Sequence, residues 1–169
     1  MKILVVVDMQ NDFIDGALGT AEAVAIVPSV IEKIKKYESE GNYIIYTKDT
    51  HPDTYLSTRE GRYLPVEHCI KGTQGHDIPD DILRGHNVII EKPTFGSLAL
   101  VDHLGSLDFD EVELIGLCTD ICVVSNALLV KAAFPEKDVT VDSSCCAGVT
   151  PDSHNAALTT MKMCQINVI

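Results

Sequence analysis

Asp8, Lys92 and Cys122 are the residues of this chain whose side chains most readily combine into one chemistry, because each follows an aliphatic run. Cys122 lies in VELIGLCTDICVVSN, Val112 to Asn126, where an apolar run stops at Gly116 and a helical pattern starts three or four residues later. A strand that passes at once into a helix aims backbone N–H groups at one spot, which favours anions. With Asp120 as helix N-cap, the Cys122 sulfur falls in the first turn, where the helix dipole lowers a thiol pKa toward the nucleophilic thiolate. Taken alone, such a cysteine reads equally as a small apolar core residue. Beside Asp8 and Lys92 it reads differently. A carboxylate to take the thiol proton, a fixed positive charge and a nucleophile are what amide hydrolysis through a thioester requires.

A second group stands next to the first. Asp49-Thr50-His51 puts two metal-ligand side chains at i and i+2, on one side of an extended segment, and His68 follows in the same connection. One carboxylate and two imidazoles describe a catalytic site for one divalent ion per chain, zinc first and iron or manganese next, and Glu60 is positioned to add a carboxylate. His76, His86, His103 and His154 lack such company and read as surface or helix-end residues.

These residues need elements to position them. Ile3 to Val7 is a continuous aliphatic run of the kind found in a strand covered on both faces, and it ends at Asp8. A helix is expected from about Val24 to Glu40, stopped at Gly41, then a strand from Tyr43 to Thr47 ending at Lys48-Asp49. The long connection that follows is rich in His, Pro, Gly and Thr, and connections of that length are usually functional. Beyond it the pattern predicts a weak helix at Asp80 to Arg84, a strand from Asn87 to Glu91 ending at Lys92-Pro93, a helix near Leu98 to Leu104 and a strand from Glu111 to Ile115. A helix from Cys122 to Phe134, a strand from Asp138 to Val141, a helix from Pro151 to Met163 with proline in its first turn and a strand from Gln165 to Ile169 complete the chain. Alternating strands and helices imply a mostly parallel sheet with helices on both faces, and ligands of such sheets bind beyond the carboxyl ends of the strands. That rim collects Asp8, Asp49, Lys92 and Cys122. Asp142, at the end of the fifth strand, reads as a turn or capping residue.

With 169 residues the chain fits a single domain, 1–169, and its formal charge of -12 with no basic block makes nucleic acid and anionic membranes unexpected partners. MKILVVVDMQ is too short in apolar residues for a signal peptide or membrane span, so a cytoplasmic location is expected, with the six cysteines as thiols. A small-molecule amide is the expected partner, and a homo-oligomer the expected assembly.

DMQNDF at Asp8 to Phe13, KDTH at Lys48 to His51, HCIKGTQG at His68 to Gly75, Lys92 after a strand and GLCTDICV at Gly116 to Val123 resemble the isochorismatase-like cysteine hydrolases, and among them the nicotinamidase branch. The resemblance runs through nearly the whole chain in order. It implies an α/β fold, three-layer αβα with a six-stranded, mostly parallel sheet, and a triad of Asp8, Lys92 and Cys122. It also implies that Asp49, His51 and His68 bind a divalent metal, with Glu60 where some members supply a further ligand. A non-proline cis peptide would fall at Leu117-Cys118, so that the N–H groups of Cys118 and Cys122 form an oxyanion hole. Members of that branch often hold a pyridine ring between a Phe, matched by Phe13, and a Trp. This chain has no Trp and reads Leu64-Pro65-Val66-Glu67 there, which removes one expected aromatic wall. Isochorismatases lack the nucleophilic Cys and the metal ligands, so both together argue for an amidase, on nicotinamide or on another small amide or carbamoyl compound. A non-catalytic flavodoxin-like binding protein using the same rim is the reading from a different class.

Overall fold

The computed structural model describes all 169 residues. Six strands, β1 (Lys2–Val7), β2 (Tyr43–Asp49), β3 (Val88–Lys92), β4 (Glu111–Leu117), β5 (Asp138–Ala147) and β6 (Asn167–Val168), form one sheet in the order β3-β2-β1-β4-β5-β6. Every neighbouring pair is parallel. The aliphatic run of β1 follows from its central place, where both faces must be covered. Ile3, Val5 and Val7 pack in a core that contains Leu100, Leu104, Ala127, Val130 and Met161. Leu4 and Val6 pack in the opposite core with Val30, Ile34, Tyr37 and Ile82.

Helices α1 (Asn11–Ile14) and α2 (Ala21–Ser39) lie over the second of these cores, while α4 (Leu98–Gly105), α5 (Val124–Ala133) and α6 (Pro151–Met163) cover the first. A short helix, α3 (Arg59–Tyr63), sits within the long β2–β3 connection. Local chemistry fixes the ends of these elements. Thr20 caps α2 by accepting from Ala23 N, so the helix starts earlier than Val24, and it runs through Pro28, whose would-be carbonyl partner belongs to exposed Val24. Thr150 and Ser153 form a reciprocal capping box at α6, with Pro151 behind the cap. No helix is long and apolar enough to cross a membrane.

Besides the earlier start of α2, three further expected elements differ, the first being the last strand, expected over Gln165 to Ile169 and formed only at Asn167–Val168. Asp80 to Arg84 is a turn, because the Tyr46 hydroxyl donates to the carbonyls of Ile82 at 2.7 Å and Arg84 at 2.9 Å and Ile82 is fully buried. β5 continues past Val141 to Ala147 through a register shift against β4, so Asp142 lies inside the strand. There its Oδ2 pairs with Lys33 Nζ at 2.7 Å and its Oδ1 accepts from Ser144 N, a structural role.

The strand order reverses its direction of growth at the β1/β4 pair, which is the switch point where a crevice opens beyond the carboxyl ends. Register does the positioning. Val7 lies opposite Thr47 and Gly116, and Asp49 lies opposite Lys92, so the residues at these strand ends are neighbours across four strands.

Candidate active site

Asp8 leaves β1 in the left-handed region, φ 47°, which turns its carboxylate under the crevice. Lys92, the last residue of β3, is buried and its ammonium is ringed by oxygen and sulfur. Asp8 Oδ2 lies 2.6 Å away, the Thr94 carbonyl 3.0 Å, Asp49 Oδ1 3.4 Å and Cys122 Sγ 3.4 Å. Thr47 on β2 donates to Asp8 Oδ1 at 2.6 Å, which leaves Oδ2 as the oxygen that pairs with the ammonium. The structure thus brings together the three residues that the strand ends suggested.

Cys122 sits in a single π-helical turn, Thr119–Val123, that joins β4 to α5, and the peptide Leu117–Cys118 is cis. Asp120 is not its cap. The turn opens two residues earlier, with Cys118 as the cap residue, and the Asp120 carboxylate instead accepts from Val149 N at 3.1 and 3.2 Å, tying the β5–α6 connection to this turn. The thiol also differs from expectation. Burial, and then the negative charge of Asp8, hold the Cys122 pKa well above its ordinary value, with Lys92 opposing them. Desolvation disfavours the thiolate more than the short helix end favours it. The neighbouring Cys118 thiol is likewise pushed up to about 12 by burial. Burial raises the Asp8 pKa as well, against the pull of Lys92, while Lys92 is raised by Asp8, Cys122 and Asp49 against its own burial. The resting set is therefore a protonated thiol, a strengthened carboxylate base and a firm ammonium.

Asp49, His51, Glu60 and His68 each turn one ligand atom into a common space, all within 4.8 Å of one another. His51 Nε2 lies 2.9 Å from Asp49 Oδ2 and 3.6 Å from Glu60 Oε1, and His68 Nε2 lies 3.6 and 3.7 Å from the same two oxygens. Bonds of about 2.0–2.2 Å at tetrahedral or octahedral angles place donors about 3–3.6 Å apart, so these residues fit a first-row divalent ion. His68 Nδ1 donates to the Val66 carbonyl at 2.8 Å, which presents the Nε2 lone pair to the cluster. Although burial opposes it, the contacts with the His51 and His68 rings and the charge of Lys92 keep the Asp49 pKa below the ordinary carboxylate range.

Backbone pairing explains how ligands far apart in sequence meet. His51 N donates to the Cys69 carbonyl and Lys71 N to that of His51, a short parallel bridge that sets the two imidazoles side by side with ring centres 4.9 Å apart. The DMQNDF stretch then grips the connection. Gln10 accepts from Asp49 N at 2.7 Å and donates to the Asp49 and His76 carbonyls, Asn11 donates to the Gln74 carbonyl, and Asp12 accepts from Cys69 N at 2.7 Å. A Cβ at Gly75 would stand 2.1 Å from Asp12 Oδ2, so only glycine admits this grip. His76, expected at the surface, is buried and pairs with Thr50 Oγ1 at 2.8 Å.

Above Cys122 lies a cavity of about 50 Å³ lined by Phe13, Leu64, Phe95, Cys118 and Ile121 together with the edge of the ligand cluster. Leu64 is on the wall as the sequence placed it. Phe95, three residues after Lys92, was not anticipated, and it gives the cavity a second phenyl ring despite the absence of tryptophan. Asn126 is a further unanticipated residue. Its side chain donates to the Cys122 carbonyl at 2.8 Å and the Phe95 carbonyl at 3.2 Å and accepts from Ser97 N at 2.9 Å. Thr47 and Asn126 carried no local signal, since Thr47 acts on Asp8 and Asn126 ties Ser97 and Phe95 to α5, partners distant in sequence.

Comparison with known proteins gives the family of the chain. The isochorismatase domain matches residues 2–169, and the chain belongs to the isochorismatase family of hydrolases. Its fold superposes on the zinc complex of a pyrazinamidase from Pyrococcus horikoshii with a TM-score of 0.84 at 31% identity, covering 99% of this chain and 98% of that one. A nicotinamidase of Schizosaccharomyces pombe is 26% identical over 98% of this chain and 91% of its own length. An N-carbamoylsarcosine amidase from Thermoplasma acidophilum superposes with a TM-score of 0.77 at 28% identity, covering 99% and 94% of the two chains.

Proposed function

We propose that the chain is a cysteine amidohydrolase acting on a compact carboxamide, with nicotinamide, cleaved to nicotinate and ammonia, as the first substrate to test. The observation that carries this reading is the position of Lys92 Nζ, 2.6 Å from Asp8 Oδ2 and 3.4 Å from the sulfur of Cys122, which lines a cavity together with Asp49, Glu60 and His68 of the ligand cluster. The nicotinamidase and pyrazinamidase relatives support it.

Because the thiol rests protonated, attack needs a base, and Asp8 Oδ2 takes the proton as Cys122 Sγ bonds to the carboxamide carbon. The backbone N–H groups of Cys118 and Cys122 hold the oxygen that becomes negative. Asp8 returns the proton to the nitrogen, the C–N bond breaks and ammonia leaves a thioester on Cys122. A water gives its proton to Asp8 and adds to the thioester carbon; the C–S bond then breaks, and Asp8 reprotonates the sulfur as the carboxylate product departs. Lys92 stays an ammonium throughout and offsets the charge that moves between Asp8 and Cys122. Phe13, Phe95 and Leu64 bound the ring and shed water from the thioester.

Asp49, His51, His68 and Glu60 would hold one divalent ion, zinc first among the metals that suit two imidazoles and two carboxylates and iron or manganese next, which when bound supplies a Lewis acid on the cavity wall. The small cavity also favours a second reading, a short carbamoyl compound on the same groups, in line with the carbamoylsarcosine amidase relative. Ammonia release from a panel of nicotinamide, pyrazinamide, short aliphatic amides and N-carbamoyl amino acids tests both. Turnover of the aromatic members supports the first, turnover of the carbamoyl members alone the second, and no ammonia from any of them would leave a binding protein.

A further inference from the structure

A second and much larger hollow, about 660 Å³, opens beside the cavity above Cys122. Its walls include Thr50, Thr58, Arg59, Tyr63 and Thr94. The two hollows have two residues in common, Glu60 and Phe95. Glu60 is committed to the imidazoles of His51 and His68. Glu60 and Phe95 therefore both stand between the inner cavity and the outer groove, and of the two only Phe95 is not a member of the ligand cluster.

The backbone that carries the Phe95 ring is held in place. Thr94 O accepts from Lys92 Nζ at 3.0 Å, Phe95 O from Asn126 Nδ2 at 3.2 Å, and Ser97 N donates to Asn126 Oδ1 at 2.9 Å, so three successive points of the segment are tied to buried side chains. Gly96 lies so close to α5 that a Cβ would stand 2.6 Å from Leu129 Cδ1. Phe95 is 43% exposed, yet its backbone has no freedom to swing the ring aside. An exposed phenyl on a pinned backbone, with the nucleophile's small cavity on one side and the much larger groove on the other, is a wall.

We propose that Phe95 is the specificity-determining partition of this site: it confines the substrate to a compact amide by closing the nucleophile's cavity from the outer groove, and shortening it joins the two into one site for amides that carry a further bulky group. The proposal deepens the amidohydrolase reading, since it presumes that Cys122 is the reacting group.

Alkylation of Cys122, followed by peptide mass spectrometry, reads the partition without requiring turnover. Iodoacetamide is compared with N-(1-naphthyl)iodoacetamide, whose warhead is the same and whose bulk is not. A pocket overfilled by even one methylene discriminates by about 10–200-fold, so the wild-type rate ratio should favour the small reagent by at least about tenfold. In Phe95→Ala the ratio should collapse to within about threefold, and Phe95→Leu, which keeps an apolar side chain and secures the test if the alanine variant fails to fold, should fall between. Leu98→Ala, an exposed position lining neither hollow, should keep the wild-type ratio. A ratio unchanged in Phe95→Ala and Phe95→Leu, or one lost equally in Leu98→Ala, overturns the partition. Ammonia release by the same proteins from nicotinamide and from quinoline-3-carboxamide is measured alongside. Absence of ammonia from every amide would sink the amidohydrolase reading, while the alkylation ratio still decides the role of Phe95.

Discussion

Thr47→Val removes one oxygen and almost no volume, and its effect can be worked from the site. The Thr47 hydroxyl donates to Asp8 Oδ1 at 2.6 Å inside a fully buried pocket, and it stabilises only the ionised carboxylate. A hydrogen bond to a charged group contributes about 1.5–3 kcal/mol, which at 1.36 kcal/mol per pH unit raises the Asp8 pKa by about one to two pH units when it is lost. The sign is fixed by the role of the group. Asp8 must be ionised to take the thiol proton, so the acid limb of kcat/KM, which reports the free enzyme, should move to higher pH by that amount. Thr47→Ser restores the donor and should restore the limb. The assay is ammonia release from the best amide across the acid range, with metal content and circular dichroism measured on each variant. An acid limb that stays in place or moves to lower pH, in a folded protein with wild-type metal content, would refute the assignment of Asp8 as the base.

Three further outcomes are expected. His51→Ala deletes one of four donors and should lower bound divalent metal from about one ion per chain to a small fraction, measured by elemental analysis of purified protein; retained metal would remove His51 from the cluster. Leu64→Trp should raise KM for nicotinamide and not lower it, because Phe13 and Phe95 already bound a cavity of about 50 Å³ and an indole overfills it; steady-state kinetics that show a lower KM would mean the cavity lacks its second ring. Lys33→Met strips the partner from buried Glu113 and Asp142, to which Lys33 Nζ lies at 2.6 and 2.7 Å, and should cost about 3–5 kcal/mol in urea unfolding at pH 7. Beyond the opposing effect of burial, Lys33 and Ser144 hold the Asp142 pKa below its ordinary value, so that contribution is present above the unfolded carboxylate pKa and is lost as pH falls through the folded one. The gap between wild type and Lys33→Met should accordingly narrow below about pH 4, and a gap that widens there would contradict the pairing.

Much of this site was legible before the fold was known, for a topological reason. In a parallel sheet each strand delivers its last residue to the same rim, so Asp8, Asp49 and Lys92 could be recognised as neighbours once the aliphatic runs before them were read as strands. The helical start after Gly116 placed Cys122 on that rim in the same way. Long-range support was not legible. Thr47 and Asn126 act on chain segments distant in sequence and nothing local distinguishes them, while Gln10 and Asp12 stood out in the DMQNDF stretch without showing which distant backbone they hold. Phe95 was assigned no role from the sequence, since its place at the cavity depends on the pinned path of Thr94 to Ser97. The thiol was misjudged for an energetic reason: the helix end was visible in the pattern, but the complete burial that outweighs it and the nearby charge of Asp8 were not. Asp142 was misplaced because β5 passes through a register shift and continues, a feature set by its pairing with β4 and not by its own residues.

Covalent capture at Cys122 tests the central claim most directly. Protein mixed with nicotinamide, quenched with acid within the first turnovers and digested should yield a nicotinoyl thioester on the peptide that holds Cys122, with steady ammonia release in the unquenched reaction and none in Cys122→Ala. A nicotinoyl group on Cys118, or ammonia release that survives in Cys122→Ala, would contradict the account.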